Sequence, residues 1–81
     1  MKKLSEVIVE RLNKYIETNK LTQYKLSQLS GVPFSTIKSI MQRKTKDISL
    51  KTLIMLCDGL SITPSEFLND TSFYAQNIDL E

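Results

Sequence analysis

The stretch from Thr22 to Gln42 constrains the fold more than any other part of the chain. Its sequence, TQYKLSQLSGVPFSTIKSIMQ, contains two segments with helical periodicity, separated by Gly31-Val32-Pro33. A glycine at this point readily supplies the left-handed residue that ends a helix, and a proline is tolerated where the next helix begins. The apolar positions that fall on one side are Leu26, Leu29, Val32, Ile37 and Ile40. The stretch therefore predicts two short helices that share an apolar face.

The second helix of this pair has a polar side. At about 100° per residue, Ile37, Ile40 and Met41 cluster on one side, and Phe34 lies at the margin. A tight turn followed by a polar and basic helix is the helix-turn-helix arrangement, which places its second helix in the DNA major groove. The predicted base-reading residues are Phe34, Ser35, Lys38, Ser39 and Gln42.

The side-chain chemistry of this surface suits base edges. Serine can donate to or accept from any base, and a glutamine can form two hydrogen bonds with adenine. Lys38 can reach guanine O6 and N7 or a phosphate, and Phe34 suits the methyl group of thymine. Any one of these residues alone would be read as an ordinary solvent-facing side chain, so the prediction rests on their combination.

Positive charge is concentrated around the same stretch. Residues 1–51 contain all 11 Lys and Arg and four acids, a net charge of +7, whereas residues 52–81 contain five acids and no base, a net charge of −5. This layout turns one end of the molecule toward a polyanion. Gln23 lies in the first turn of its helix, where free backbone N–H groups also favour a phosphate. The predicted phosphate contacts are Gln23, Thr36, Arg43, Lys44 and Lys46.

The remaining segments predict three more helices around this pair. Ser5, Ser49 and Thr63 are the expected N-caps, and Thr22 is the cap of the second helix. In the first helix, Arg11 is placed on the outer side, away from the core. The fourth helix is the most hydrophobic and hence the central one; its apolar residues are Leu50, Leu53, Ile54, Leu56, Cys57 and Leu60. The predicted fold is a compact all-α bundle of five helices without strands.

Residues 70–81 are the segment for which the sequence leaves most open. Phe73, Tyr74, Ile78 and Leu80 fit packing on the core, covering a partner subunit, or an unpacked tail. We therefore divide the chain into a DNA-binding domain at 1–69 and a C-terminal tail at 70–81, which is a candidate packing, dimerisation or partner-binding segment.

The composition excludes several other classes of protein. With no histidine and a single cysteine, Cys57, the usual Cys/His metal site is not available, and we expect no metal or other cofactor. No nucleophile–base combination or phosphate-cradling glycine loop is present, so we expect no enzyme activity. No run of residues has the length of a transmembrane helix, and no signal peptide is recognisable. We expect a cytoplasmic protein that does not enter membranes.

The ordered combination LTQYKLSQLSGVPFSTIKSI, SLKTLIMLCDGL and ITPSEFL resembles the phage-repressor and Cro-type (Xre-like) helix-turn-helix family. The resemblance implies a five-helix lambda-repressor-like domain that acts as a dimer on a two-fold symmetric operator. It also implies phosphate contact by Gln23 and base reading by Phe34, Ser35, Lys38 and Ser39.

The chain departs from the family pattern at three positions. Ile16 and Met41 replace an arginine–glutamate pair that the family often has, and such an exchange for packed apolar groups can preserve stability. We predict that Ile16 and Met41 touch. Arg43 stands where glycine is common, and if the backbone there is left-handed, Arg43 is mildly strained.

The leading functional prediction is a transcriptional regulator, acting as a repressor, that binds double-stranded DNA as a homodimer. Two alternatives remain open at this point. One is the antitoxin of a toxin–antitoxin pair, in which the same fold binds DNA and the tail occupies a toxin. The other is a protein-interaction module that has lost DNA binding, against which the basic stretch Arg43–Lys46 argues.

Overall fold

The computed structural model describes residues 1–80, and its architecture is the predicted five-helix bundle. The helices are α1 (Leu4–Thr18), α2 (Gln23–Ser30), α3 (Phe34–Met41), α4 (Leu50–Leu60) and α5 (Pro64–Leu68). The radius of gyration of the Cα atoms is 11.9 Å. The all-α prediction is thus confirmed, and α2 and α3 form the helix-turn-helix pair.

Side-chain caps fix where three of the helices begin. The hydroxyls of Thr22, Ser49 and Thr63 each accept a hydrogen bond from the backbone N–H three residues later, as predicted. The prediction for Ser5 was wrong, because α1 already begins at Leu4 and the N-cap position is Lys3, which makes no side-chain capping hydrogen bond. Residues 2–3, directly before α1, pair instead with residues 78–79 as two short strands.

One continuous hydrophobic core joins all five helices. Ile16 belongs to it, and the half-buried Met41 packs against it, while the contact of these two side chains with each other stays a prediction. Cys57 is fully buried, and burial raises the pKa of its thiol, so it is a small core residue. The largest fully buried side chains are Phe67, Leu12, Leu26, Ile37, Leu56 and Leu60.

Three apolar residues that we assigned to core-facing elements are exposed instead. Leu29 is 47% exposed in α2, and Leu50 and Ile54 are 68% and 50% exposed in α4. The prediction that Leu29 faces the core was wrong, because α2 has eight residues and contacts its neighbours through a narrow side. In α4, the buried residues Leu53, Leu56, Cys57 and Leu60 lie on one side, which leaves the other side to solvent.

The helix pair is held against α4 by a close approach of two small residues. A Cβ atom added at Gly59 would lie 2.8 Å from Ser30 Cβ and 3.0 Å from the Ser30 backbone. Such distances are shorter than van der Waals contact, so only glycine permits α2 to lie this close to α4. This contact positions the end of α2, and therefore the turn that leads into α3.

The C-terminal segment packs back on the bundle. It forms two single-turn 3₁₀ helices, Thr71–Phe73 and Ala75–Asn77, and then β2 (Ile78–Asp79), which pairs in parallel with β1 (Lys2–Lys3). The expectation of no strands was therefore wrong. Ile78 is buried, and the Phe73 ring lies 6.0 Å from that of Phe67, whereas Tyr74 and Leu80 are exposed. The backbone pairing between the two ends of the chain is a long-range contact that no local pattern signals.

Arg11 is buried, which contradicts its predicted position on the outer side of α1. Its Nε donates to the carbonyl oxygen of Phe67 at 2.8 Å and its Nη2 to that of Glu66 at 2.9 Å. Its Nη1 lies 3.4 Å from the Asp70 carboxylate. The backbone N–H of Ser72 lowers the pKa of Asp70, and Arg11 contributes to the same shift. Arg11 thus supplies a buried donor to two carbonyls at the end of α5, of which that of Glu66 also accepts a backbone N–H, and links this end to the C-terminal segment.

We expect Arg11→Met to lower the free energy of unfolding by about 2–4 kcal/mol, because the Phe67 carbonyl loses its buried donor and the Glu66 carbonyl keeps only a backbone N–H. Urea denaturation followed by circular dichroism measures this. Lys14→Met is the matched control, since Lys14 is an exposed basic residue of the same helix. Equal stabilities of the two variants would contradict the assigned role of Arg11.

Candidate nucleic-acid interface

The turn between α2 and α3 is fixed by backbone and side-chain hydrogen bonds. Gly31 has the predicted left-handed conformation, with φ at +77°, and its N–H donates to the Ser27 carbonyl. The N–H of Val32 donates to the hydroxyl of the buried Ser30, and Val32 itself is buried. These contacts set the angle at which α3 leaves the turn, and therefore the direction of its polar side.

The five predicted base-reading residues lie together along the outer side of α3 and at its C-terminal end. Phe34, Ser35 and Lys38 are exposed, and Ser39 is half-buried. Gln42 is exposed at the C-cap position. Ile37 and Ile40 anchor the opposite side of the helix in the core. The surface thus has the width of one helix, which is the width that a major groove admits.

The predicted phosphate contacts lie at the start of α2, within α3 and in the connection from α3 to α4. Gln23 is the first residue of α2, next to the Thr22 cap, and is half-buried. Thr36 is a half-buried residue of α3, and Arg43, Lys44 and Lys46 are exposed in the connection from α3 to α4. Exposed polar side chains on one helix, with candidate phosphate contacts before and after it in the chain, are the layout expected of a duplex-reading surface.

The backbone of Arg43 is left-handed, with φ at +57°. This conformation turns the chain sharply after α3, and the N–H of Lys44 donates to the Ser39 carbonyl across the turn. The Arg43 guanidinium lies 3.8 Å from the Glu6 carboxylate. Both residues line a groove of about 470 Å³ between the start of α1 and the α3–α4 connection. A carboxylate thus stands beside the basic segment that would meet phosphates.

Sequence reasoning missed two residues of this surface. Tyr24 is 57% exposed in α2, and its ring packs edge-on against Phe34. An aromatic residue on the polar side of α2 was the signal that could have identified it. Glu6 gave no comparable signal, because only the tertiary structure brings the start of α1 to the α3–α4 connection.

Comparison with known families gives the same assignment. Residues 11–72, about three-quarters of the chain, match the family described as the Cro/C1-type HTH DNA-binding domain. The chain belongs to this Cro/C1-type helix-turn-helix family. As a member of the family, it is a DNA-binding transcriptional regulator, which agrees with the geometry of α2 and α3.

Among curated proteins, this Cro/C1-type regulator is similar to the control protein C.SmaI of Serratia marcescens. The two are 31% identical over 65 residues, which cover 80% of this chain and 76% of the relative. No solved structure gives a significant match. Across residues 1–80, none of the helices is both long and apolar enough to cross a membrane.

We expect Glu6→Gln to tighten DNA binding by roughly two- to fivefold at about 0.1 M salt, because the change frees Arg43 and removes a charge that repels phosphate. Fluorescence anisotropy with a labelled duplex measures the affinity. Glu17→Gln is the control, since Glu17 lies about 16 Å further along α1 at the usual helical rise. Weaker binding by Glu6→Gln would show that the ion pair holds Arg43 in its binding position.

Proposed function

We propose that this regulator binds a specific operator by inserting α3 into the major groove, and that it represses transcription by blocking access to a promoter. The observation that carries the proposal is the exposed polar side of α3, which is followed directly in the chain by the exposed basic residues of Arg43–Lys46. Base edges are read by Phe34, Ser35, Lys38, Ser39 and Gln42. Phosphates are held by Gln23, Thr36, Arg43, Lys44 and Lys46.

A repressor function fits a domain of this size better than an activating one. Blocking a promoter requires only occupancy of the DNA, whereas activation requires a further surface that contacts the transcription machinery. The name of C.SmaI, a control protein, is compatible with both repression and activation. The same proposal includes that the regulator binds DNA without catalysing a reaction and that it acts in the cytoplasm.

The proposed regulator acts as a homodimer, with the α5 side of the molecule as the contact surface. Leu68 is 43% and Tyr74 is 57% exposed, and both line a groove of about 530 Å³ together with Phe73. Exposed apolar area of this kind favours a second protein surface. Residues 1–69 form the DNA-binding domain in this proposal, and residues 70–81 add part of the dimer or partner contact.

Selection of bound duplexes from a random pool at near-physiological salt tests this proposal. We expect an inverted repeat with half-sites about 10 base pairs apart, because two copies of α3 then enter successive major grooves on one side of the duplex. A single enriched half-site would retain base reading by α3 but remove the dimer. Absence of any enriched sequence would refute operator binding, and the alternatives of antitoxin and interaction module would then be tested with co-purified partners.

The division between base and phosphate contacts predicts two different profiles. We expect Lys44→Ala to weaken binding to all sequences by a similar factor and to reduce the salt dependence by about one counterion. Ser39→Ala should instead change the preference at particular base pairs while leaving the salt dependence unchanged. Repeating the selection and a salt titration with each variant measures both effects. Identical profiles for the two variants would contradict the division.

A further inference from the structure

Three exposed side chains are in contact with one another: Tyr24 of α2, and Phe34 and Lys38 of α3. We call them the aromatic–lysine cluster. The Tyr24 and Phe34 rings meet edge to face, with centroids 5.7 Å apart and planes at 81°. The Lys38 ammonium lies over the Phe34 ring, 5.6 Å from its centroid. The Phe34 ring is therefore contacted by a second, nearly perpendicular ring and by an ammonium group.

This arrangement is notable because all three side chains face solvent. Tyr24 is 57% and Phe34 is 39% exposed, so burial in the core does not order them. The edge-to-face geometry and the ammonium above the ring are favourable contacts in their own right. They restrict both side chains before DNA arrives, which reduces the entropy that binding must remove. Tyr24 lies in α2, so it orients a residue of α3 from outside that helix.

The dimensions of the cluster limit which bases it can reach. Successive base pairs are about 3.4 Å apart along a duplex, so two steps span about 6.8 Å. The Lys38 ammonium and the Phe34 ring centre are closer than that, at 5.6 Å. Two groups that keep this separation and point the same way into the groove meet the same base pair or adjacent ones. A thymine methyl and a guanine O6/N7 edge never belong to the same Watson–Crick pair, so their bases would lie on adjacent pairs.

We propose that the aromatic–lysine cluster reads a thymine and a guanine on adjacent base pairs as one unit. Phe34 contacts the thymine methyl, Lys38 bonds to guanine O6 and N7, and Tyr24 is a positioning residue that orients the Phe34 ring. This inference rests on the proposed insertion of α3 into the major groove. It adds Tyr24 of α2 to the reading surface, and it specifies that this surface contacts bases of two adjacent base pairs.

The test uses the full chain and the duplex obtained from the selection experiment. Replacing each thymine in turn by deoxyuridine removes one methyl group, and replacing each guanine by 7-deazaguanine removes one acceptor. For the unchanged protein, we expect a roughly fourfold loss of affinity at one thymine, the effect of burying a single methyl group. We expect a roughly fivefold or larger loss at the guanine of an adjacent pair. Modifying both bases together should cost less than the product of the two losses.

Protein variants assign these losses to residues. With Phe34→Ala the deoxyuridine effect should disappear, and with Lys38→Ala the 7-deazaguanine effect should disappear. Tyr24→Ala should reduce the deoxyuridine effect from about fourfold to less than twofold. Tyr24→Phe is the matched control: it keeps the ring that contacts Phe34, and it should retain full thymine discrimination.

The outcomes separate this inference from the proposed function. If no duplex is enriched, operator binding fails and the inference fails with it. If a duplex is enriched but no thymine and guanine on adjacent pairs are sensitive, the inference alone is overturned. Unchanged thymine discrimination in Tyr24→Ala would remove the positioning role of Tyr24. A uniform loss in Lys38→Ala across all sequences would identify Lys38 as a phosphate contact and would also overturn the paired reading.

Discussion

The close approach of α2 to α4 is the constraint on which the rest of the structure depends. Gly59 leaves room for Ser30 to lie against the α4 backbone, where any larger residue would force the helices apart. Ser30 also accepts the N–H of Val32, so the same residue that packs on α4 holds the turn. The orientation of α3 therefore follows from packing inside the bundle. The reading surface is presented by a rigid support, which is what a precise base-edge contact requires.

Charge is used in two different ways in this molecule. Arg11 lies inside, where it bonds to the carbonyls of Glu66 and Phe67 and joins α1 to α5. Arg43, Lys44 and Lys46 are outside, where they remain available to phosphates. The number of Lys and Arg residues in the sequence is therefore larger than the number of positive charges that can contact DNA. Glu6 reduces it further, since its carboxylate lies 3.8 Å from the Arg43 guanidinium. A moderate electrostatic affinity leaves more of the selectivity to base contacts.

The family match and the structure bear on different alternatives: the first on DNA binding, the second on the role of the C-terminal segment. Membership of the Cro/C1-type family gives DNA binding and transcriptional regulation. The C-terminal segment is tied to the N-terminus by β1 and β2, and Ile78 is buried. A partner that used this segment would therefore contact its exposed residues, such as Tyr74 and Leu80, unless it displaced the strand.

The sequence by itself determined the five helices and the family, because caps, glycine ends and apolar periodicity are local signals. Thr22, Gly31, Ser49 and Thr63 each act within one turn of the chain, and their predicted roles match the structure. The outer side of α3 was predictable for the same reason. Only the tertiary structure decided the burial of Arg11, the exposure of Leu29, and the contacts of Glu6 and Tyr24. Arg11 lies three residues after Ile8 and four before Tyr15, so it shares a face of α1 with them. Its carbonyl partners lie more than 50 residues away in the sequence. Contacts over such separations depend on how helices pack, and periodicity within one helix contains no information about its neighbour.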